Sequence, residues 1–158
     1  MNHPLLAVLA LFGCAPEPEI PACEGGGDPS LTIGIDDGDF VALSDGDEMV
    51  VQTDPANGAY RLIFDFRIEG LDATDSVTGV TRLGFGDDPT EDYLAQVTLA
   101  CDGDGPSSYT AAAVLADEYQ SEESVAALDG SALTVDSAFT DARGVTADAS
   151  VALGFVAE

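Results

Sequence analysis

Carboxylates and cysteines are the side chains with chemistry to offer in this sequence. Thirty Asp and Glu residues stand against four basic residues, all of them Arg. Many of the acids gather in short loops: Asp36-Asp37-Gly38-Asp39, Asp45-Gly46-Asp47-Glu48, Asp87-Asp88-Pro89-Thr90-Glu91-Asp92 and Asp102-Gly103-Asp104. A Ca2+ ion takes roughly six to eight oxygens from carboxylates and carbonyls, and acidic turns containing Gly can supply both. None of these loops keeps the EF-hand spacing: counted from Asp37, Asp39 falls in the third place but Val41 in the fifth, and the glycine is misplaced. A Ca2+ site here would join Asp36, Asp37 and Asp39 to Asp45 and Asp47, which are near enough in sequence to share one end of a sheet. The simpler reading makes these loops hairpin turns, in which Asp supplies turn geometry and a solvated surface.

Other catalytic chemistry is largely excluded by composition. The one His is His3, and Lys is absent. That removes Ser-His-Asp and Cys-His nucleophiles, lysine Schiff bases and His-based zinc sites from residues beyond the N-terminus. There is no P-loop, and no glycine-rich dinucleotide turn opening a helix. A pair of carboxylates can hydrolyse a glycoside, so a carboxylate-dependent glycoside hydrolase is the enzymatic alternative. Against it, Trp is absent and aromatic residues make up 7% of the chain, which leaves little for a sugar-stacking shelf. The expectation is a protein without catalytic residues or a resident cofactor, Ca2+ being the one ion its loops suggest.

The formal net charge is −26. It excludes nucleic acid as a partner, because that binding rests on Lys and Arg meeting phosphate, and it disfavours docking the domain on anionic lipid. Disorder needs low hydrophobicity as well as high charge, and 46% of the residues are hydrophobic. Self-repulsion at this charge opposes compaction unless counterions screen it. The Asp-rich, Lys-free composition resembles that of proteins from salt-adapted organisms, so the melting temperature is expected to rise with NaCl; a flat or falling response in a thermal scan would contradict this.

The elements that hold these groups read as strands. Tyr60, Leu62, Phe64, Phe66 and Ile68 alternate with Arg61, Ile63, Asp65, Arg67 and Glu69, the period of a strand with one wet face. Tyr93, Ala95, Val97, Leu99 and Cys101 form one side of a second strand, and Val145, Ala147, Ala149, Val151, Leu153 and Phe155 one side of a third. Shorter candidates lie at 31–35, 39–43, 48–53, 77–85, 109–115 and 132–139. Asp-Gly and Asn-Gly turn signals punctuate them at 37–38, 45–46, 57–58, 102–103 and 129–130, with a further acidic turn at 87–89. The pattern predicts an all-β fold, an antiparallel β-sandwich that is immunoglobulin-like in the loose sense, though without the core Trp of true immunoglobulin domains. A short helix is expected near 121–128, with Ser121 as its cap and Gly130 beyond its end. Arg61 and Arg67 are expected to pair with carboxylates across strands.

The N-terminus carries a different message. Leu5 to Phe12 is an apolar run too short to span a bilayer, which takes about 20 residues, and suited to the apolar region of a secretory signal. Leu11-Phe12-Gly13-Cys14 resembles the lipobox of bacterial lipoproteins, with Phe12 bulkier than usual and no Lys or Arg ahead of the run. The resemblance implies cleavage before Cys14, a diacylglyceryl thioether on that cysteine, and export to the cell envelope. Ala15, not Asp, follows the cysteine, which in enteric bacteria favours the outer membrane. The domains expected are then a signal peptide at 1–13, a lipidated flexible tether rich in Pro and Gly at 14–30, and one β-sandwich at 31–158. With Cys14 taken by lipid, Cys23 and Cys101 remain, and in an oxidising compartment they most simply pair. Such a bridge would close a loop of roughly 80 residues, worth about 4 kcal/mol in the chain-entropy model.

The body of the chain also resembles small lipoproteins of myxobacteria and related bacteria. The residues concerned are Leu31-Thr32-Ile33-Gly34, Phe40-Val41-Ala42-Leu43 with Asp45-Gly46-Asp47, Glu69-Gly70-Leu71-Asp72 and Asp141-Ala142-Arg143-Gly144. This resemblance implies a β-sandwich on a lipid anchor and supplies no activity. The expected function is a non-catalytic binding or envelope-structural module, held to the membrane by its lipid and meeting a protein or glycan partner in the envelope. The alternatives are a Ca2+-binding adhesion-type module and the carboxylate hydrolase.

Overall fold

Tyr60–Glu69 shows why the chain folds as it does. Its even-numbered residues Leu62, Phe64, Phe66 and Ile68 are 0–1% exposed, while the residues between them stay partly in solvent. Burying one such side chain contributes about 1.5–3 kcal/mol, so one strand commits several large side chains to a single inner face. The computed structural model describes residues 25–86, 91–101 and 107–157, without the side chains of 91–95. In chain order the strands are β1 (Ser30–Asp36), β2 (Phe40–Ala42), β3 (Glu48–Val50), β4 (Gln52–Thr53), β5 (Tyr60–Glu69), β6 (Val77–Phe85), β7 (Glu91–Val97), β8 (Ser107–Val114), β9 (Ala132–Thr140) and β10 (Thr146–Val156). A 3-10 turn at Asp117–Tyr119 and helix α1 (Glu122–Ala127) lie between β8 and β9.

Two five-stranded sheets face each other. In the first, β5 is flanked on one edge by β1 and β4 and on the other by β8, with β2 outside β1. The second runs β3-β10-β9-β6-β7. Every pairing is antiparallel except β3 with β10, which is parallel. This is the strand order of an immunoglobulin-type sandwich, with β5 and β8 adjacent in one sheet and β7, β6, β9 and β10 in sequence across the other. The expected all-β sandwich is therefore found, and so is the expected helix.

The segment 48–53 differs from its reading as one strand. Glu48–Val50 pairs with β10 in the second sheet, Gln52–Thr53 pairs with β5 in the first, and buried Val51 makes the crossing with its N–H on the carbonyl of Val156. Met49 and Val51 both point inward, so a chain that changes sheets keeps an unbroken apolar alternation.

Aromatic rings fill the space between the sheets. Phe66 of β5 meets Phe139 of β9 with ring centroids 5.1 Å apart, and Tyr109 of β8 lies 6.1 Å from Phe139. These rings join β5 to β9, the strands that a disulfide joins in antibody domains. Gly79 on β6 faces the same ring: a β-carbon there would come within 2.9 Å of Phe139. A second group, Phe85 with Phe155 at 5.3 Å and Tyr119 at 5.4 Å, closes the other half of the core. The inward hydroxyls of Thr81 and Ser137 satisfy each other at 3.0 Å, as buried polar groups must.

The registers define two poles. Ser30 opposite Glu69, Ser107 opposite Ile68, and Thr140 opposite both Thr78 and Thr146 place residues 25–29, 69–76, 98–101 and 141–145 at one of them. The turns at 54–59 and 115–131 lie at the other, where the Gln120 side chain accepts from Tyr60 N–H (2.8 Å) and donates to the carbonyls of Leu115 and Tyr60. Helix α1 is too short to hold itself. Ser121 and Ser124 cap it reciprocally, and Val125, 2% exposed, anchors it to the core.

Candidate functional site

The best-organised polar group lies at the first pole. Along β9 the inward positions are Leu133, Val135, Ser137 and Phe139, and Asp141 is the next in that register, just past the strand end. Its side chain has no exposed surface. A buried carboxylate is tolerable only when it is paired and fully hydrogen-bonded. Oδ1 accepts from the backbone N–H groups of Arg143 (2.9 Å) and Val145 (3.0 Å). Oδ2 accepts from Asp72 N–H (3.0 Å) and from Nε (3.0 Å) and Nη2 (2.7 Å) of Arg143. One carboxylate thus closes the β9–β10 turn and ties it to the β5–β6 connection.

Burial pushes the Asp141 carboxyl upward, but the Asp72 N–H, the Arg143 guanidinium and the N–H groups of Val145 and Arg143 outweigh it and hold the carboxyl at about 2. Asp72 is lowered too, chiefly by the Thr74 hydroxyl, which donates to Oδ1 at 2.6 Å, and then by the Thr74 N–H. The sign follows from linkage. A carboxyl depressed in the folded state stabilises it above the unfolded value, near 3.8, and the contribution is lost as pH falls through about 2. Chemical denaturation between pH 5 and pH 2 should show a loss of roughly 1–2 kcal/mol from Asp141, discounted for the half-solvated Arg143 above it. The Asp141→Asn protein should lack that component, and an unchanged acid profile would remove Asp141 from this role.

The five carboxylates proposed for Ca2+ occupy two separate turns. In the β1–β2 turn Asp36 Oδ1 accepts from Gly38 N–H at 2.9 Å, Asp37 N–H donates to the Asp39 carbonyl, and Asp39 is exposed. In the second turn Asp47 Oδ2 accepts from Ser44 N–H at 2.8 Å, and Asp45 Oδ1 accepts from Ala152 N–H at 2.9 Å. Gly46 N–H returns a bond to the Ala152 carbonyl, so this turn is a dock that sets β3 beside β10. Among the described residues no three acidic, His or Cys side chains converge as a metal-binding group.

A shallow groove of about 310 Å3 lies on the outer face of β6, β9 and β10. Asp136 and Asp148 share it with Arg82, over a floor that includes Val80, Ala138 and Ser150. Among the described residues its lining includes no aromatic ring. The expectation that Arg61 and Arg67 both meet carboxylates holds for Arg61 alone: Nη1 contacts Asp54 Oδ2 at 2.8 Å. Arg67 instead stacks its guanidinium 4.9 Å from the Phe40 ring centroid, and Asp65 beside it accepts from the Thr110 hydroxyl.

Cys101 is half-buried at the first pole, with Sγ 3.3 Å from Ser107 Oγ. Cys14 and Cys23 lie outside the described residues, as do the acidic loops at 87–90 and 102–104. No helix among the described residues is long and apolar enough to cross a membrane. Fold and polar groups together define an acidic, immunoglobulin-like β-sandwich whose most organised carboxylate is tied into the backbone. No protein-family model and no curated protein matches the chain.

Proposed function

We propose that the chain is an exported lipoprotein, anchored by Cys14 to the cell envelope, whose β-sandwich serves as a non-catalytic binding or structural module. The observation that carries the reading is the succession along the chain. A signal-like apolar run ends at Gly13-Cys14, a Pro- and Gly-rich stretch comes next, and the first strand starts at Ser30. The non-catalytic part rests on composition, with no Lys and His3 the one His; Asp141 itself is held low by its donors, the opposite of the shift a glycosidase acid needs. The remaining acidity gives a soluble surface suited to a saline medium.

A Cys23–Cys101 bridge belongs to the same reading. Cys101 is its described end, half-buried beside Ser107. It also lies at the pole where Gly25, two residues from Cys23, meets the domain. Fractionation tests the anchor. The native chain, expressed in a bacterium that processes lipoproteins, should pellet with membranes and enter the detergent phase, whereas Cys14→Ser should be found in the soluble fraction. Equal distribution of the two would contradict the anchor.

A further inference from the structure

Where the chain enters the sandwich bears on which way the domain faces. Gly25 and Asp28-Pro29 lie close against the backbone of the turn after β5. A β-carbon on Gly70 would come within 2.8 Å of Pro29 Cα and 2.9 Å of the Asp28 carbonyl oxygen. A β-carbon on Gly25 would lie 2.5 Å from Arg143 Nη2, 2.6 Å from the Leu71 carbonyl carbon and 2.7 Å from Asp72 N. Gly25 and Gly70 also have positive φ, +69° and +77°, which side chains rarely adopt. Asp141 sets both walls of this seat, because its Oδ2 holds the Arg143 guanidinium and the Asp72 N–H together. Gly25, where the described chain starts, therefore lies at the pole itself. Cys101 is at that same pole.

The height of the sandwich and the reach of the tether limit how the domain can sit on a membrane. Strand β10 spans 11 residues, so the sandwich is about 36 Å tall at about 3.3 Å per residue. The chain from Cys14 to Gly25 reaches at most roughly 40 Å when fully extended. To lay the α1 pole on a membrane, this segment would have to run the whole height of the domain almost fully extended, losing nearly all its conformational freedom. Stapling Cys23 to Cys101 would shorten the free segment to about 30 Å and forbid it.

We propose that the pole formed by residues 25–29, 69–76 and 141–145 faces the membrane, and that the pole carrying α1 and the 54–59 turn points away from it. This rests on the lipid anchor at Cys14. The chain has no Trp, so single-Trp variants give clean reporters at two exposed positions, Asp75→Trp at the inner pole and Glu123→Trp on α1. Each lipidated variant is placed in phosphatidylcholine vesicles with a spin label on the headgroup. Quenching of Asp75→Trp should exceed that of Glu123→Trp by about twofold or more, given the height of the sandwich. Inserting about 20 Gly-Ser residues after Pro21 should narrow the difference, as expected for a flexible linker of that reach. Equal or reversed quenching in vesicle-bound protein would overturn the orientation and leave the anchor standing. Failure of the native chain to bind vesicles, with behaviour identical to Cys14→Ser, would overturn the anchor, and the orientation with it.

Discussion

Replacing Asp141 by Ala should destabilise the domain by about 3–5 kcal/mol, because it strands several donors at about 1–3 kcal/mol each, with a melting temperature lower by more than about 10 °C. The size follows from the groups left stranded. Three backbone N–H groups, those of Asp72, Arg143 and Val145, lose their acceptor together, as does the Arg143 guanidinium. An unsatisfied buried donor costs about 1–3 kcal/mol, and the partial solvation of Arg143 keeps the total below the simple sum. Asp141→Asn keeps the shape and one carbonyl acceptor, so it should fall between the native protein and Asp141→Ala. Urea denaturation of the three proteins at pH 7 orders them. A loss under about 1 kcal/mol for Asp141→Ala would show that water replaces the carboxylate at no great cost.

Phe66→Ala should be comparably severe, about 3–5 kcal/mol, through a different mechanism. Phe66 is fully buried and touches three rings: Phe139 at 5.1 Å, Phe64 at 6.3 Å and Tyr109 at 6.5 Å between centroids. Its removal leaves a cavity between the sheets that the rigid strands close only in part. Because Phe66 and Phe139 occupy strands of opposite sheets, a double-mutant cycle of Phe66→Leu with Phe139→Leu should give a coupling of about 0.5–1.5 kcal/mol, as aromatic pairs do. Strict additivity would mean that the two rings contribute by burial alone. A β-carbon at Gly79 would crowd Phe139 from the other side, so Gly79→Ala should also destabilise, by overpacking.

The strands were legible because one face of each is wet, and alternation records that directly. Leu62, Phe64, Phe66 and Ile68, and again Val151, Leu153 and Phe155, are buried where the pattern places them. The helix was legible from Ser121 and Gly130, since caps are local chemistry. What alternation cannot record is the partner of a strand. The parallel pairing of β3 with β10 joins residues about 100 positions apart, and Met49 and Val51 keep the same period on both sides of the crossing at Val51. The cation–π contact of Arg67 depends on β2 folding back beside β1, so that Phe40 covers Gly34 next to Arg67.

In the sequence Asp141 stood out only within Asp141-Ala142-Arg143-Gly144, among the residues of the lipoprotein resemblance. A stronger signal was present: it continues the inward register of Leu133, Val135, Ser137 and Phe139, where an acid must be paired. The acidic loops are ambiguous from sequence, because their composition suits Ca2+ and turns alike. Asp36, Asp45 and Asp47 are engaged with backbone N–H groups of Gly38, Ala152 and Ser44, and the Ala152 contact joins positions too distant for a sequence pattern to suggest.

The intact mass of the protein extracted from membranes, before and after reduction, reads the anchor and the bridge together. The expected chain begins at Cys14, carries a diacylglyceryl group, and gains two hydrogens when the Cys23–Cys101 bridge is reduced. A chain that begins at Met1, or one that begins beyond Cys14 and carries no lipid, would contradict the anchor.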